Sequence, residues 1–174
     1  MSADYSIVFV RQQRSKKGRG IEPFPKTDTG FRDVDLSPLL ATLLNQYIGN
    51  RKTGFLFETP SGLPMSPRHI TRNSLHPILN EMGRESAGFH IFRRFRESIL
   101  QMSEVRTLLI DYWMGHASGE MAGRYGKQLL DNLQWRQECA ANVGLGFTLK
   151  EPNNSLLDKS GQVFEVEIAE AVSA

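Results

Sequence analysis

The sequence predicts a mainly helical α+β domain, in which a small antiparallel three-stranded sheet at the N-terminus precedes a bundle of helices. Two observations predict this class. Over the first 36 residues, short runs rich in β-branched and aromatic residues alternate with turn signals. From residue 37 onward, apolar residues recur at helical spacing behind recognisable helix caps.

The three predicted strands cover residues 5–10, 21–24 and 31–36. The first two are separated by residues 11–20, which hold five basic residues, two glycines and no acidic residue. That composition is typical of an exposed turn. A second turn signal, Pro-Lys-Thr-Asp-Thr-Gly at residues 25–30, precedes the third strand. We therefore expect a small antiparallel meander.

The helices are predicted mainly from their caps. Ser-Pro at residues 37–38 and again at 66–67 combines an N-cap serine with proline at the first helical position. The first of these helices should end at Gly49, and Pro77 should kink or split the second. Further helices are predicted at residues 89–102, 105–114, 121–125 and 129–143.

Several apolar side chains on these helices are predicted to form the core. Phe92 and Phe95 lie on the apolar stripe of the helix at residues 89–102. Trp113 and Met114 should pack inside and position the loop that follows them. Cys139 is interpreted as a small core residue on an amphipathic helix.

Composition excludes several classes of protein. A chain of 174 residues suits one domain with its own core, and 40% hydrophobic with 23% charged residues excludes a wholly disordered chain. No apolar run approaches the roughly 18 residues of a membrane span. The apolar stretch at residues 5–10 is too short for a signal peptide, so we expect a cytoplasmic protein. A single cysteine excludes an internal disulfide, and four histidines argue against a structural zinc site.

Charge is unevenly distributed along the chain. Residues 1–149 carry 19 Lys and Arg against 14 Asp and Glu, whereas residues 150–174 carry 2 against 5. A basic body with an acidic tail favours a polyanionic partner for the body. Within the tail, residues 164–168 alternate apolar and acidic side chains, which is typical of an edge strand or of a segment that docks on a partner.

Four features carry candidate chemistry. They are a lysine in a turn between two predicted strands, a His-x-x-Arg box at a helix start, a Trp-Met-Gly-His box, and a tyrosine nine residues beyond it. The residues concerned are Lys26, His90, Arg93, His116 and Tyr125. Each motif alone is weak, but four in this order are a strong signal.

In order and spacing these motifs resemble the catalytic domain of tyrosine recombinases, also called phage integrases. The resemblance covers roughly residues 5–147 and includes Pro-Lys-Thr at 25–27, Arg-Asp-Val-Asp-Leu at 32–36 and Val-Gly-Leu-Gly-Phe at 143–147. It implies a helical bundle of that family's catalytic type. It also implies site-specific DNA recombination and integration, of the kind that serves mobile elements.

The resemblance assigns a role to each candidate residue. Tyr125 would attack phosphorus and form a covalent 3′-phosphotyrosine, and Lys26 would protonate the departing 5′ oxygen. Arg93 offers a planar fork that fits two phosphate oxygens, and His90 lies one helical turn before it. His116 would donate a further hydrogen bond to the phosphate. This mechanism needs no cofactor and no metal.

The implied partners are double-stranded DNA and other recombinase protomers in a synaptic assembly. The catalytic domain would span residues 1–149, incomplete at its N-terminus, and the acidic tail at 150–174 would dock either in trans or on its own domain. Contacts to the DNA backbone are predicted for Arg11, Arg14, Lys16, Lys17, Arg94 and Arg96. The first four lie in the basic run at residues 11–19, which could instead be a merely solvated hairpin. Arg94 and Arg96 could instead lie on a solvated or ion-paired helix face.

One part of the family pattern is missing. The family places two arginines on the cleaved phosphate, and the first lies in a Gly-Leu-Arg-type box ahead of the sheet. No residue upstream of Lys26 matches that box, and the N-terminal DNA-clamping domain is also absent. We therefore expect the isolated chain to be weakly active or inactive, and to expose apolar surface that promotes self-association. It would be either a piece of a longer integrase or a truncated remnant.

Three other functions stay open on the sequence. The chain could be a non-catalytic DNA-binding module derived from an integrase, which the missing arginine favours and the retained tyrosine disfavours. It could be a topoisomerase of the related single-strand-nicking class. It could also be a protein-interaction domain in which the tail is the binding element.

Overall fold

The computed structural model describes residues 4, 6–14, 20–117 and 120–148, with side chains for all of these except 14 and 120–125. The strands are β1 (Ile7–Val10), β2 (Gln13–Arg14), β3 (Ile21–Glu22) and β4 (Arg32–Asp35). The helices are α1 (Pro38–Ile48), α2 (Pro67–Ile70), α3 (His76–Glu81), α4 (His90–Met102), α5 (Thr107–Met114), α6 (Glu120–Asp131) and α7 (Leu133–Val143). The predicted mixture of helices with a small antiparallel sheet is confirmed.

The strands form two separate two-stranded ladders. β1 pairs antiparallel with β4, with Ile7 opposite Asp35, while β2 pairs with β3 farther out on the same hairpin. The expectation of one three-stranded meander is therefore wrong for the described residues. Pro23 and Pro25 follow β3 and lack a backbone N–H, so this stretch cannot continue a ladder towards β4.

The helix boundaries largely follow the caps and breakers. α1 begins at Pro38 and ends at Gly49, whose φ is 56°. The helix that starts at Pro67 is split by a π turn at Thr71–Leu75, because Pro77 offers no N–H to the regular ladder. Near the C-terminus the break falls at Asn132 rather than ahead of residue 129, since its side chain accepts a hydrogen bond from the N–H of Trp135 at 3.0 Å and caps α7.

The core lies among α4, α5 and α7. Its buried members are Leu100, Leu109, Ile110, Trp113, Met114 and Ala140. The predicted burial of Trp113 and Met114 is confirmed, and the half-buried Cys139 packs against the same cluster. Burial raises the pKa of the Cys139 thiol, with smaller contributions from nearby charges.

The prediction that Phe92 and Phe95 belong to the core is wrong. They are 49% and 43% exposed. The elements from α1 to α3 contribute no buried residue, and Phe95 is only partly covered, with the ring of Phe147 at 6.0 Å between centroids. The apolar stripe of α4 is therefore split between a buried side at Leu100 and an open side.

A buried polar cluster joins β4 to α5 and α7. The carboxylate of Asp35 is fully buried and accepts a hydrogen bond of 2.8 Å from Nε1 of Trp113. Nε of Arg136 lies 3.0 Å from Oδ2 of Asp35, and Nη2 donates to Oδ1 at 3.3 Å. Arg136 also donates to the carbonyl of Leu130 at 2.7 Å and lies over the ring of Tyr112. One carboxylate thus ties the sheet to two helices.

We predict that Arg136→Ala lowers the free energy of unfolding by about 3–5 kcal/mol, because it leaves the Asp35 carboxylate buried without its cation. Urea denaturation measures the loss. Arg94→Ala is the control, since Arg94 is exposed and makes no ion pair within the described residues. Equal effects of the two substitutions would show that the buried pair does not hold these elements together.

Candidate active site

The first turn of α4 carries the His-x-x-Arg box. The helix begins at His90, one residue inside the predicted start. His90 and Arg93 are one turn apart and share a face. His90 is exposed and Arg93 is half-buried, so the arginine side chain leans into the protein while the histidine faces solvent.

A left-handed glycine places the second histidine. α5 ends at Met114, and Gly115 turns the chain back with φ 69° and ψ 35°. The N–H of His116 then donates to the carbonyl of Asp111 at 2.9 Å, which closes the helix end. Only glycine adopts this conformation without strain, so the Gly-His pair fixes where the imidazole emerges.

The two boxes meet in space. Nη2 of Arg93 lies 2.9 Å from Nε2 of His116 and donates to the carbonyl of Met114 at 2.5 Å. On the other side of the imidazole, Nδ1 lies 3.6 Å from Oδ1 of Asp111. The guanidinium of Arg93 on α4, the imidazole of His116 and the carboxylate of Asp111 on α5 therefore lie in one row at the partly exposed end of α5.

A second guanidinium, which the sequence analysis did not single out, lies beside this row. Arg32 on β4 donates through Nε to the carbonyl of Trp113 at 3.0 Å and through Nη1 to that of Gly30 at 3.1 Å. Burial, followed by the charge of Arg93, lowers the pKa of Arg32. The sequence feature that could have pointed to Arg32 is its position at the start of the motif at residues 32–36, ahead of two aspartates.

Lys26 lies in the turn predicted for it. The turn closes with a hydrogen bond from the N–H of Gly30 to the carbonyl of Thr27 at 2.8 Å, and Gly30 packs tightly on Pro25. Because Arg32 holds the carbonyl of Gly30, this turn is fastened to the end of α5. The Lys26 side chain itself is exposed, and within the described residues it makes no hydrogen bond or ion pair.

Tyr125 lies on α6, the helix after the Gly-His turn. Its side chain lies outside the described part of the chain. The next residue, Gly126, is buried so closely against α5 that an added Cβ would lie 2.4 Å from Cδ2 of Leu108. The backbone next to Tyr125 is therefore packed directly on α5, the helix that precedes the Gly-His turn.

The predicted DNA-binding residues fall into different environments. Arg11 is bonded within the protein, to Oδ1 of Asp33 at 2.6 Å and to the carbonyl of Arg32 at 2.8 Å. Arg96 donates to the carbonyl of Gly144 at 2.6 Å, and burial lowers its pKa.

The other candidates differ from these two. Arg94 is exposed and makes no hydrogen bond within the described residues. Arg14 lies on β2, but its side chain lies outside the described part of the chain. Lys16, Lys17 and the tail at residues 150–174 lie outside it as well.

Comparison with models of protein families, with curated proteins and with solved structures finds no match to this chain. In the described residues, no helix has the length and apolar character needed to cross a membrane. Those residues also contain no group of three or more His, Cys, Asp or Glu side chains that could hold a metal ion.

We predict that Gly115→Ala is more damaging than an otherwise similar glycine substitution. Gly83 has φ 64° with open space around it, so Gly83→Ala should cost only the left-handed backbone penalty of about 1–2 kcal/mol. At Gly115 the same penalty applies, and the new Cβ would also lie 2.9 Å from Nη1 of Arg32.

Comparison of the two variants by urea denaturation isolates the effect of the close contact with Arg32. We expect a larger loss of unfolding free energy for Gly115→Ala, together with a shift in the NMR signals of His116. Equal losses and unshifted signals would contradict the close approach of Arg32 to the turn.

Proposed function

We propose that this chain is part of a tyrosine recombinase, which cuts and rejoins double-stranded DNA through a phosphotyrosine at Tyr125. The observation that carries the proposal is the contact between Arg93 and His116, two residues 23 positions apart that the motif order assigns to one phosphate. A planar cation and an imidazole side by side present several hydrogen-bonding groups to the oxygens of one phosphate.

The reaction follows from the chemistry of the residues. The phenol of Tyr125 would give up its proton to solvent as its oxygen attacks phosphorus, so that a bond to the 3′ phosphate forms as the bond to the 5′ oxygen breaks. Lys26 would give a proton to that oxygen, and Arg93, with His90 and His116, would neutralise the charge that develops on the phosphate. Rejoining is the reverse reaction with a 5′ hydroxyl of another strand, so no external energy source is needed.

Fastening of the lysine turn to the end of α5 supports the role of Lys26. Arg32 joins the carbonyl of Gly30 to that of Trp113, which keeps the turn on the same side as the Gly-His loop. Its own Nε and Nη1 are occupied by these carbonyls, so Arg32 serves the site mainly by holding these two segments together.

The wider assignment follows from the same family resemblance. The catalytic unit would be a helical bundle of the recombinase type in the cytoplasm, acting for a mobile element. It would assemble on DNA with other protomers, with the acidic tail at residues 150–174 docking in trans or in cis. Arg94 is the best-placed of the described candidates for a contact with the DNA backbone, because its guanidinium is exposed and unpaired among the described residues.

We predict that this chain forms a covalent adduct with nicked duplex DNA and that Tyr125→Phe abolishes it, because phenylalanine has no attacking oxygen. An end-labelled pool of nicked duplexes with randomised sequence, resolved on a denaturing gel, measures the adduct. Tyr47→Phe is the matched control, since Tyr47 is an exposed tyrosine on α1. Arg93→Ala should lower the yield by about 10²–10³-fold.

An adduct that still forms in Tyr125→Phe would contradict the assignment of Tyr125 as the nucleophile. DNA binding without any adduct would favour the second candidate, a DNA-binding module that no longer cuts. That candidate is the alternative that the sequence motifs left open. Relaxation of supercoiled plasmid at no specific site would instead indicate a topoisomerase.

We predict that Lys26→Ala suppresses cleavage of ordinary DNA but spares DNA whose 5′-bridging oxygen is replaced by sulfur. A thiolate leaves without a proton, so it makes a leaving-group acid unnecessary. Adduct formation on the two substrates is compared, with Lys52→Ala as the exposed-lysine control. If both substrates are affected equally, Lys26 is not the acid.

A further inference from the structure

We propose that the exposed aromatic pair Phe24 and Phe31 is a stacking surface for one nucleobase. That base belongs to the nucleotide whose 5′ oxygen departs when the DNA is cut. The inference rests on the proposed function, because Lys26, the residue assigned to that oxygen, lies on the turn between the two rings. It adds to that function a contact with a base, made by two residues that no motif included.

The two rings close the base of the lysine turn. Their centroids are 6.2 Å apart and their planes are inclined by 49°, within the range that aromatic pairs favour. Between them, residues 25–30 fold back on themselves, so that Gly30 packs tightly on Pro25. Arg32 then joins the carbonyl of Gly30 to that of Trp113, which fastens the turn and its two rings beside the Gly-His turn.

Both rings are available to a ligand. Phe24 is 65% exposed, more than any other aromatic side chain of the described residues, and Phe31 is 43% exposed. Pro23 and Pro25 restrict the backbone on either side of Phe24, so the ring loses little further conformational freedom when it binds. The ordinary alternative is a clasp that only closes the turn, and burial of both rings would be expected for that role. The exposure of Phe24 argues for a ligand instead.

The residues of the turn indicate a nucleic acid as the partner. Rings that alternate with a cation are typical of surfaces that bind single-stranded DNA, because the bases stack on the rings and the cation faces the backbone. Lys26 is exposed and makes no hydrogen bond or ion pair within the described residues, so its ammonium is available to the DNA. Asp28 on the same turn balances that charge, and we therefore expect stacking rather than charge to supply most of the affinity here.

The position of the pair selects one base. In the proposed reaction the nucleotide that carries the departing 5′ oxygen lies next to the ammonium of Lys26, and its base is joined to that oxygen through one sugar. Strand exchange requires this 5′ end to leave its complementary strand, so that its base loses its partner in the duplex. Phe24 and Phe31 would stack on the freed base, and every base can use such a surface because each has a π face.

The test is photocrosslinking of the full chain to a nicked duplex with a 3′-phosphate on one side of the nick. The other side carries an unpaired 5-iodouracil nucleotide with a 5′-hydroxyl, and this base crosslinks on irradiation to an aromatic side chain stacked on it. The DNA is already cut, so the readout does not require cleavage. We expect mass spectrometry to place the crosslink on Phe24 or Phe31, and Phe24→Leu to lower its yield by about tenfold.

Two further variants separate stacking from a general effect on the protein. Phe24→Tyr keeps an aromatic ring and should retain the crosslink, whereas Phe57→Leu, which removes an exposed ring that contacts Tyr47 instead, should leave it unchanged. A crosslink placed elsewhere, an unchanged yield in Phe24→Leu or no crosslink at all would each overturn the inference. Tyr125→Phe should crosslink as the wild-type chain does, so failure here is distinguishable from failure to form the DNA adduct.

Discussion

The carboxylate of Asp35 lies at the point where the sheet meets the helices, and the rest of the structure depends on its partners. Trp113 of α5 and Arg136 of α7 both reach it, across 78 and 101 residues of chain. A buried charge of this kind is tolerated only when its partners are in place. The cluster therefore specifies which sides of β4, α5 and α7 face each other, and the apolar core forms around that arrangement.

The candidate site is built on the same three-element frame. β4 carries Asp35 into the buried cluster and, three residues earlier, Arg32 to the end of α5. Trp113 takes part in both, because its indole bonds to Asp35 while its carbonyl accepts from Arg32. The Gly-His turn follows directly. A polar contact in the core and the position of an exposed imidazole are thus linked through one residue of α5.

Among the described residues the buried core is small, and many large apolar side chains are exposed. Phe92, next to Arg93 in the chain, and Phe95, whose ring meets that of Phe147, are both partly exposed on α4. Apolar faces of this extent usually mark surfaces that contact another element or another protein.

The sequence by itself determined the local features: the helix starts at Pro38 and Pro67, the break at Pro77, the turn at Gly115, and the order of the candidate motifs. These depend on caps, proline and glycine, whose effects act within a few residues. Strand pairing, the exposure of Phe92 and Phe95, and the contacts of Arg32 with Gly30 and Trp113 depended on the tertiary structure. They are set by distant partners and by which faces are covered, and a pattern read along one chain contains neither.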